Sequence, residues 1–209
     1  MIDLYSVFTA NGQKVHIMLE ECGLAYTPHA MDLHAGAHRT AEFRKLNPFG
    51  RVPVIVDRGS PGGVPFAVSE TSAILSYLAE KAGRLMPNEI QGRAEVQQWL
   101  SFVAANIGPL FRGIFMFGTI LPSGNPAAVS YFVAEAEKAL GLVESHLQGR
   151  DWLVGSDYSI ADIALYPVCA TSAKQLTKGV EPHTNLRRWM AAVAARPAVQ
   201  LGTKVLAPQ

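Results

Sequence analysis

The sequence predicts an α/β unit followed by an all-α unit, and three observations carry that expectation. Residues 1–84 alternate short β-like runs with helical ones, the pattern of a sheet with crossover helices. From residue 92 to 209 turn signals thin out and helical periodicity takes over. Between them, residues 85–91 read as a linker, and no repeat or low-complexity segment interrupts the plan.

Residues 2–7 form the first expected strand. Thr9-Ala10-Asn11-Gly12-Gln13-Lys14 then turns into a helix whose apolar positions Val15, Ile17, Met18, Leu19 and Cys22 end at Gly23, a natural C-cap. Residues 26–33 supply a second strand. After a loop at 34–38, residues 41–46 form a short helix stopped by Asn47-Pro48, because a residue before proline is pushed out of the helical region. Residues 52–57 form a third strand with Pro53 near its start. The Gly/Pro cluster at 59–65 is hairpin chemistry leading into a brief strand at 66–68. Ser69 is expected to cap a helix carrying Ile74, Leu75, Leu78 and Ala82 and closing at Gly83, which makes the order β-α-β-α-β-β-α. Beyond the linker, helices are expected at 92–117, 126–148, 160–173 and 185–195, the last halted by Arg196-Pro197. Ser159-Ile160-Ala161-Asp162 is a capping box with a structural role.

With 49% hydrophobic and 17% charged residues, the chain is excluded from the disordered, collagen and coiled-coil classes. Eighteen Lys+Arg against 17 Asp+Glu leave a net charge of +1, so no electrostatic footprint for nucleic acid or an anionic membrane exists. The only cysteines, Cys22 and Cys169, form no CxxC, which excludes a disulfide scaffold and a thiolate zinc site and fits a reducing compartment. Residues 100–122 carry Arg112 as their only charge and would span a bilayer by length. Asn106, Gly108, Pro109, Arg112 and Gly113 in their middle would leave a charge and a broken backbone unsatisfied there, so a buried or pocket-lining helix is expected. No basic region followed by a long apolar run opens the chain, and a cytoplasmic setting is the expectation.

Three stretches can carry chemistry. Thr9-Ala10-Asn11-Gly12 stands at the end of the first strand, where ligands of open α/β sheets bind, and joins a hydroxyl, a side-chain amide and helix N–H groups suited to an anion such as a thiolate. Asn47-Pro48-Phe49-Gly50-Arg51-Val52-Pro53 fixes its backbone with two prolines and a glycine; if Val52-Pro53 is cis, the Val52 amide and carbonyl point out to pair with an extended peptide. Ser69-Glu70-Thr71 offers a helix N-terminal turn for a carboxylate, with Glu70 for an ammonium, which together suit an α-amino-acid head group. Each stretch also reads as an ordinary cap or turn. His34 and His38 have HxxxH spacing, but Gly36 between them, a loop setting and no third ligand beyond Asp32 lead us to expect no metal.

In this order and spacing the three stretches, with Ser159-Ile160-Ala161-Asp162 and Ala164, resemble the glutathione transferase family over essentially the whole chain. The resemblance implies a thioredoxin-like, glutathione-binding domain at 1–84 and an all-helical domain at 92–209 that contributes the second-substrate pocket. Phe8-Thr9-Ala10-Asn11-Gly12-x-Lys14-Val15, followed by Leu19-Glu20-Glu21, looks like the nu class and its relatives, the group containing the yeast prion-forming nitrogen regulator.

That likeness implies Thr9 and Asn11 beside the glutathione sulfur. Tyr5 and Ser6 are the alternatives, since other classes use Tyr or Ser; Tyr5 lies inside the strand and suits packing. Ala10, with Cys22 on the buried stripe, speaks against a cysteine-dependent class. Glu70 and Thr71 would hold the γ-glutamyl end, the Val52 backbone beside Pro53 the cysteinyl unit, and His38 and Arg51 the glycyl end. Phe8, Ile107, Phe111, Phe115 and Met116, beside Arg112, would wall the second-substrate pocket between the two units. The implied activity is transfer of glutathione, as co-substrate and with no metal, to a small electrophile, or reduction of a disulfide by two glutathiones or through their disulfide. A non-catalytic glutathione-binding or regulatory module is the alternative on the same fold. The family also implies a homodimer. Tyr131 stands near the start of the helix from Pro126, where some relatives bring an Arg to glutathione.

Overall fold

The computed structural model describes residues 1–176 and 178–208. The chain divides into two compact units, one built from Met1–Met86 together with the described residues from Ala195 on, the other from Pro87–Ala194.

The first unit contains β1 (Ile2–Ser6), α1 (Ala10–Cys22), β2 (Tyr26–Ala30), a 3-10 turn at Ala37–Arg39, α2 (Ala41–Leu46), β3 (Val54–Asp57), β4 (Phe66–Ser69) and α3 (Thr71–Ala82). The four strands form one mixed sheet in the order β2-β1-β3-β4, with β1 and β2 parallel and the other pairs antiparallel. This is the expected β-α-β-α-β-β-α thioredoxin-like arrangement. Its core is laid by Leu4, Ile55, Val15, Leu19, Ile74, Leu75 and Leu78, all fully buried. Gly23 and Gly83 close α1 and α3 in the left-handed conformation, as their positions predict.

Three expectations differ. Ser69 does not cap α3: it ends β4, paired with Val54, and the N-cap is Glu70, whose side chain makes no capping bond. Arg196-Pro197 does halt the helix before it, which ends at Ala194, but a further helix not expected from the sequence follows: Pro197 lacks only an N–H that a first helical position does not need, and it opens α9 (Pro197–Gly202). Nor do the described residues from Ala195 on group with the helical unit. α9 packs on α1, where Gly202 lies so close that a Cβ on it would sit 2.6 Å from the Ile17 Cα, and Arg196 clasps Glu21 with bonds of 2.6 and 2.9 Å. α1 is therefore covered by α3 and by α9, and residues 12–19 are all buried, Gln13, Lys14 and His16 among them.

The second unit holds α4 (Ile90–Phe102), α5 (Gly108–Phe115), α6 (Pro126–His146), α7 (Ile160–Thr171), a 3-10 turn at Ser172–Gln175, and α8 (Thr184–Ala194). The single helix expected at 92–117 is a continuous helical run, Ile90–Ile120, in which π-helical turns at Val103–Ile107 and Met116–Ile120 flank α5. Pro109 cannot donate and its ring crowds the carbonyl four residues back; the wider turn before it, closed by Gly108 N–H to Val103 O, absorbs both effects. This run is long and apolar enough to cross a membrane by length and composition. In the structure its Val96, Leu100, Val103, Ile107, Phe111 and Ile114 are buried in the unit's core.

The capping box forms as expected and does more than cap. The fully buried Asp162 carboxylate accepts from the N–H of Ser159 at 2.9 Å, of Leu153 at 3.0 Å and of the Trp189 indole at 2.8 Å, tying α7 to the preceding loop and to α8. Glu144 of α6 caps α8, accepting from Asn185 N–H at 3.1 Å and Leu186 N–H at 2.8 Å.

Candidate functional site

Strand register gathers the three chemistry-bearing stretches. Tyr5 pairs with Val54 and Val54 with Ser69, so the end of β1, the start of β3 and the end of β4 share one row across the sheet. Ser6 pairs with Ala30 in the same region, and Met31 N–H donates to Ser6 O. The loops carrying Thr9, residues 34–39, Val52 and Glu70 therefore all leave the sheet at one end. With strands about 4.8 Å apart, these attachment points cover about 15 Å, a span suited to a short extended peptide.

Thr9 is the N-cap of α1, in extended conformation, with its Oγ1 accepting from Gly12 N–H at 3.2 Å. Accepting with its oxygen, the exposed Thr9 hydroxyl keeps its hydrogen to donate. Asn11 Oδ1 accepts from Lys14 Nζ at 2.9 Å. An ammonium only donates, so the carboxamide must turn its oxygen to Lys14 and its NH2 away. Two donors, the Thr9 hydroxyl and the Asn11 NH2, thus stand on exposed residues at the positive end of a 13-residue helix. The alternatives are otherwise engaged. Ser6 is fully buried with its Oγ at 2.9 Å from His16 Nε2, and Tyr5 stacks on His29 with ring centroids 4.7 Å apart.

Neither protein thiol competes. Cys22 is half-buried, and burial pushes its thiol up to about 11; Cys169 is buried in α7.

The second stretch is stapled by Asn47, whose buried amide donates to Arg51 O at 2.8 Å and accepts from Phe49 N–H at 3.1 Å. The Val52-Pro53 bond is cis, and the ladders of β3 begin only at Val54, which leaves half-buried Val52 outside them. Pro53 is buried and Arg51 is exposed. Gly50 brings the loop so near that a Cβ there would lie 2.7 Å from His38 O, so His38 does neighbour the stretch. The half-buried His38 ring already takes a hydrogen from Arg39 Nε at 3.2 Å.

Glu70 is exposed and holds φ 67°, a left-handed conformation that is uncommon outside glycine. Its carbonyl receives Ile74 N–H at 2.9 Å to start α3, while its carboxylate caps nothing and Thr71 forms the first turn.

The six residues expected to wall a second-substrate pocket separate by helix face. Ile107 and Phe111 are 0% and 3% exposed and belong to the packed core of the helical unit, which corrects their assignment as pocket wall. Arg112 and Phe115 are exposed and Met116 half-buried on the other faces, and Phe8 is exposed in the first unit. A cavity of about 260 Å³ in the helical unit is lined instead by Gln98, Trp99, Phe102, Leu142 and His146. Among the described residues, no group of three or more His, Cys, Asp or Glu is gathered as a metal would require.

Lys14 and His16 have no site role that the sequence alone predicts. The i, i+3 spacing of Asn11 and Lys14 on a helix start was the available signal for the first.

Sequence models of the glutathione S-transferase N-terminal and C-terminal domains match residues 8–81 and 110–197. Disulfide-bond oxidoreductase YfcG of Escherichia coli is 34% identical over 200 residues, covering 95% of this chain and 92% of that protein. A glutathione transferase from Burkholderia graminis, solved with two glutathione molecules per subunit, superposes with a TM-score of 0.91 at 39% identity, over 97% of this chain and 87% of that one. A glutathione transferase from Pseudomonas putida, solved with one glutathione disulfide per subunit, does so with a TM-score of 0.92 at 36% identity, over 99% and 92%.

Proposed function

The chain belongs to the glutathione S-transferase family, and on that premise we propose that it is a nu-class-like enzyme that ionises the thiol of bound glutathione and uses the thiolate to reduce disulfides. The observation that carries this reading is the pair of outward donors, Thr9 hydroxyl and Asn11 NH2, at the N-terminus of α1, at a site with no cysteine of its own.

A free thiol with pKa near about 8.5 is only a few per cent thiolate at neutral pH. Making thiolate the main species takes about two units, or about 2.7 kcal/mol. Two hydrogen bonds to a charged acceptor at about 1.5 kcal/mol each, with the helix N-terminus, are enough. Glu70 holds the γ-glutamyl ammonium and the α3 start at Thr71 its carboxylate. The Val52 backbone, outside the ladders, pairs with the cysteinyl unit. Arg51 meets the glycyl carboxylate, with His38 beside it.

In disulfide reduction the glutathione thiolate attacks one sulfur of the substrate disulfide, forming a mixed disulfide and expelling the other half as a thiolate, which takes up a proton. A second glutathione thiolate attacks the glutathione sulfur of the mixed disulfide, releasing the second thiol and leaving glutathione disulfide. Two thiols are oxidised and one disulfide reduced. This direction is favoured over transfer to an electrophile by the similarity to a disulfide-bond oxidoreductase and to structures holding two glutathiones or their disulfide.

Steady-state rates with glutathione against a small disulfide and against an aryl halide test the proposal. We expect faster turnover of the disulfide, and a fall in kcat/KM of about 10- to 100-fold for Thr9→Ala or Asn11→Ala. Unchanged rates in both variants overturn the site. Tight glutathione binding without turnover of either substrate would identify a binding module instead.

A further inference from the structure

We propose that Lys14 is a positioning residue that sets which face the Asn11 carboxamide shows to the ligand sulfur; this rests on the glutathione reading above. Lys14 is only 3% exposed, and its Nζ donates to Asn11 Oδ1 at 2.9 Å. Three terms disfavour a lysine at that place on stability grounds. Its charge is taken out of water, its four-carbon stem is immobilised, and a cation stands at the positive end of a helix. An anion bound at the same helix end reverses the last of these, so the arrangement is suited to a liganded state.

A carboxamide has two faces of opposite sign. With Oδ1 held by Lys14, the Nδ2 hydrogens face outward and favour a thiolate. Released, the amide can turn by half a revolution and present its oxygen to the sulfur, which opposes ionisation. Lys14 therefore decides the sign of Asn11's contribution without touching the sulfur. Asn11 is exposed, and its amide has no other hydrogen bond of its own to hold that orientation among the described residues.

The test is the ultraviolet thiolate absorbance of protein-bound glutathione at neutral pH, read with calorimetric glutathione affinity and thermal unfolding, for the native protein, Lys14→Met, Lys14→Arg, Asn11→Ala and the Lys14→Met/Asn11→Ala pair. Lys14→Met is expected to bind glutathione within about threefold of native yet hold about threefold less thiolate, the effect at neutral pH of raising a thiol pKa by about one unit from about 6.5. Lys14→Arg, which keeps the donor, restores the band. In the Asn11→Ala background Lys14→Met produces no further loss. A native band that Lys14→Met leaves unmoved overturns the Lys14 assignment alone, as does a loss that persists without Asn11. If Lys14→Met does not fold, the Lys14→Arg protein decides: a native thiolate fraction supports the proposal and a loss of about threefold or more overturns it. Glutathione binding to the native protein with no thiolate band, or no binding at all, overturns the glutathione reading itself and this proposal with it.

Discussion

Acid should loosen the first unit through one residue, His16. Its ring is fully buried within α1, where Nε2 lies 2.9 Å from Ser6 Oγ and Nδ1 has no hydrogen-bond partner. Burial pushes its pKa from the usual 6.5 down to about 4, and the nearby Gly202 backbone offsets this only in part. The folded protein thus refuses a proton that the unfolded chain accepts. The stability this represents is complete above the unfolded value and is lost as pH falls from there toward the folded one. The whole gap, between two and three units, amounts to roughly 3 kcal/mol, of which about 2 kcal/mol is gone by about pH 5. Urea midpoints of the native protein and of His16→Gln, measured from neutral pH to about pH 5, read this directly. The amide keeps a partner for Ser6 but does not titrate, so the variant should lose about 2 kcal/mol less over that range. Parallel pH profiles for the two proteins would refute the argument, because every other titrating group is common to both.

Three further outcomes can be stated. Gly202→Ala places a Cβ 2.6 Å from the Ile17 Cα, so α9 must lift from α1; a cost of about 1–3 kcal/mol is expected in the thermal midpoint, and an unshifted midpoint would contradict the packing. Asp162→Ala leaves the Leu153, Ser159 and Trp189 N–H donors buried without an acceptor, and a loss of about 3–5 kcal/mol by urea unfolding is expected, with a loss under about 1 kcal/mol ruling out the hub role. Cys22→Ser should keep disulfide reductase kcat/KM within about twofold, since a thiol raised by burial is neither nucleophile nor leaving group; a large loss would put a protein thiol in the reaction.

What could be read from sequence was what local chemistry decides. Ser159 and Asp162 stand three residues apart in the pattern of a helix start, and the box forms. Gly23 and Gly83 end their helices for reasons confined to one residue. The errors arose where one residue type has two uses. Pro197 stops the helix before it, as the sequence predicts, and also opens the next one, while Ser69 has the chemistry of a cap although the strand continues through it because Val54 lies opposite. Ile107 and Phe111 were placed on a ligand-facing wall because a helix sequence gives the faces but not which face meets the core.

The helix that Pro197 opens matters beyond its own six residues. From the sequence, Val15, Ile17, Met18, Leu19 and Cys22 of α1 read as its apolar positions, and nothing there marks Lys14 or His16 as buried. With α9 packed on α1 alongside α3, both of those polar side chains are buried, Lys14 three residues and His16 five residues beyond Asn11. Lys14 then becomes a fixed donor to Asn11, and His16 a ring that cannot take a proton. The acid sensitivity of the unit therefore traces to the C-terminal helix, whose Gly202 backbone lies beside the His16 ring. Gly202→Ala tests this experimentally: lifting α9 should expose His16, so the variant should lose the His16-dependent slope, as His16→Gln does, and a slope kept in full would refute the link.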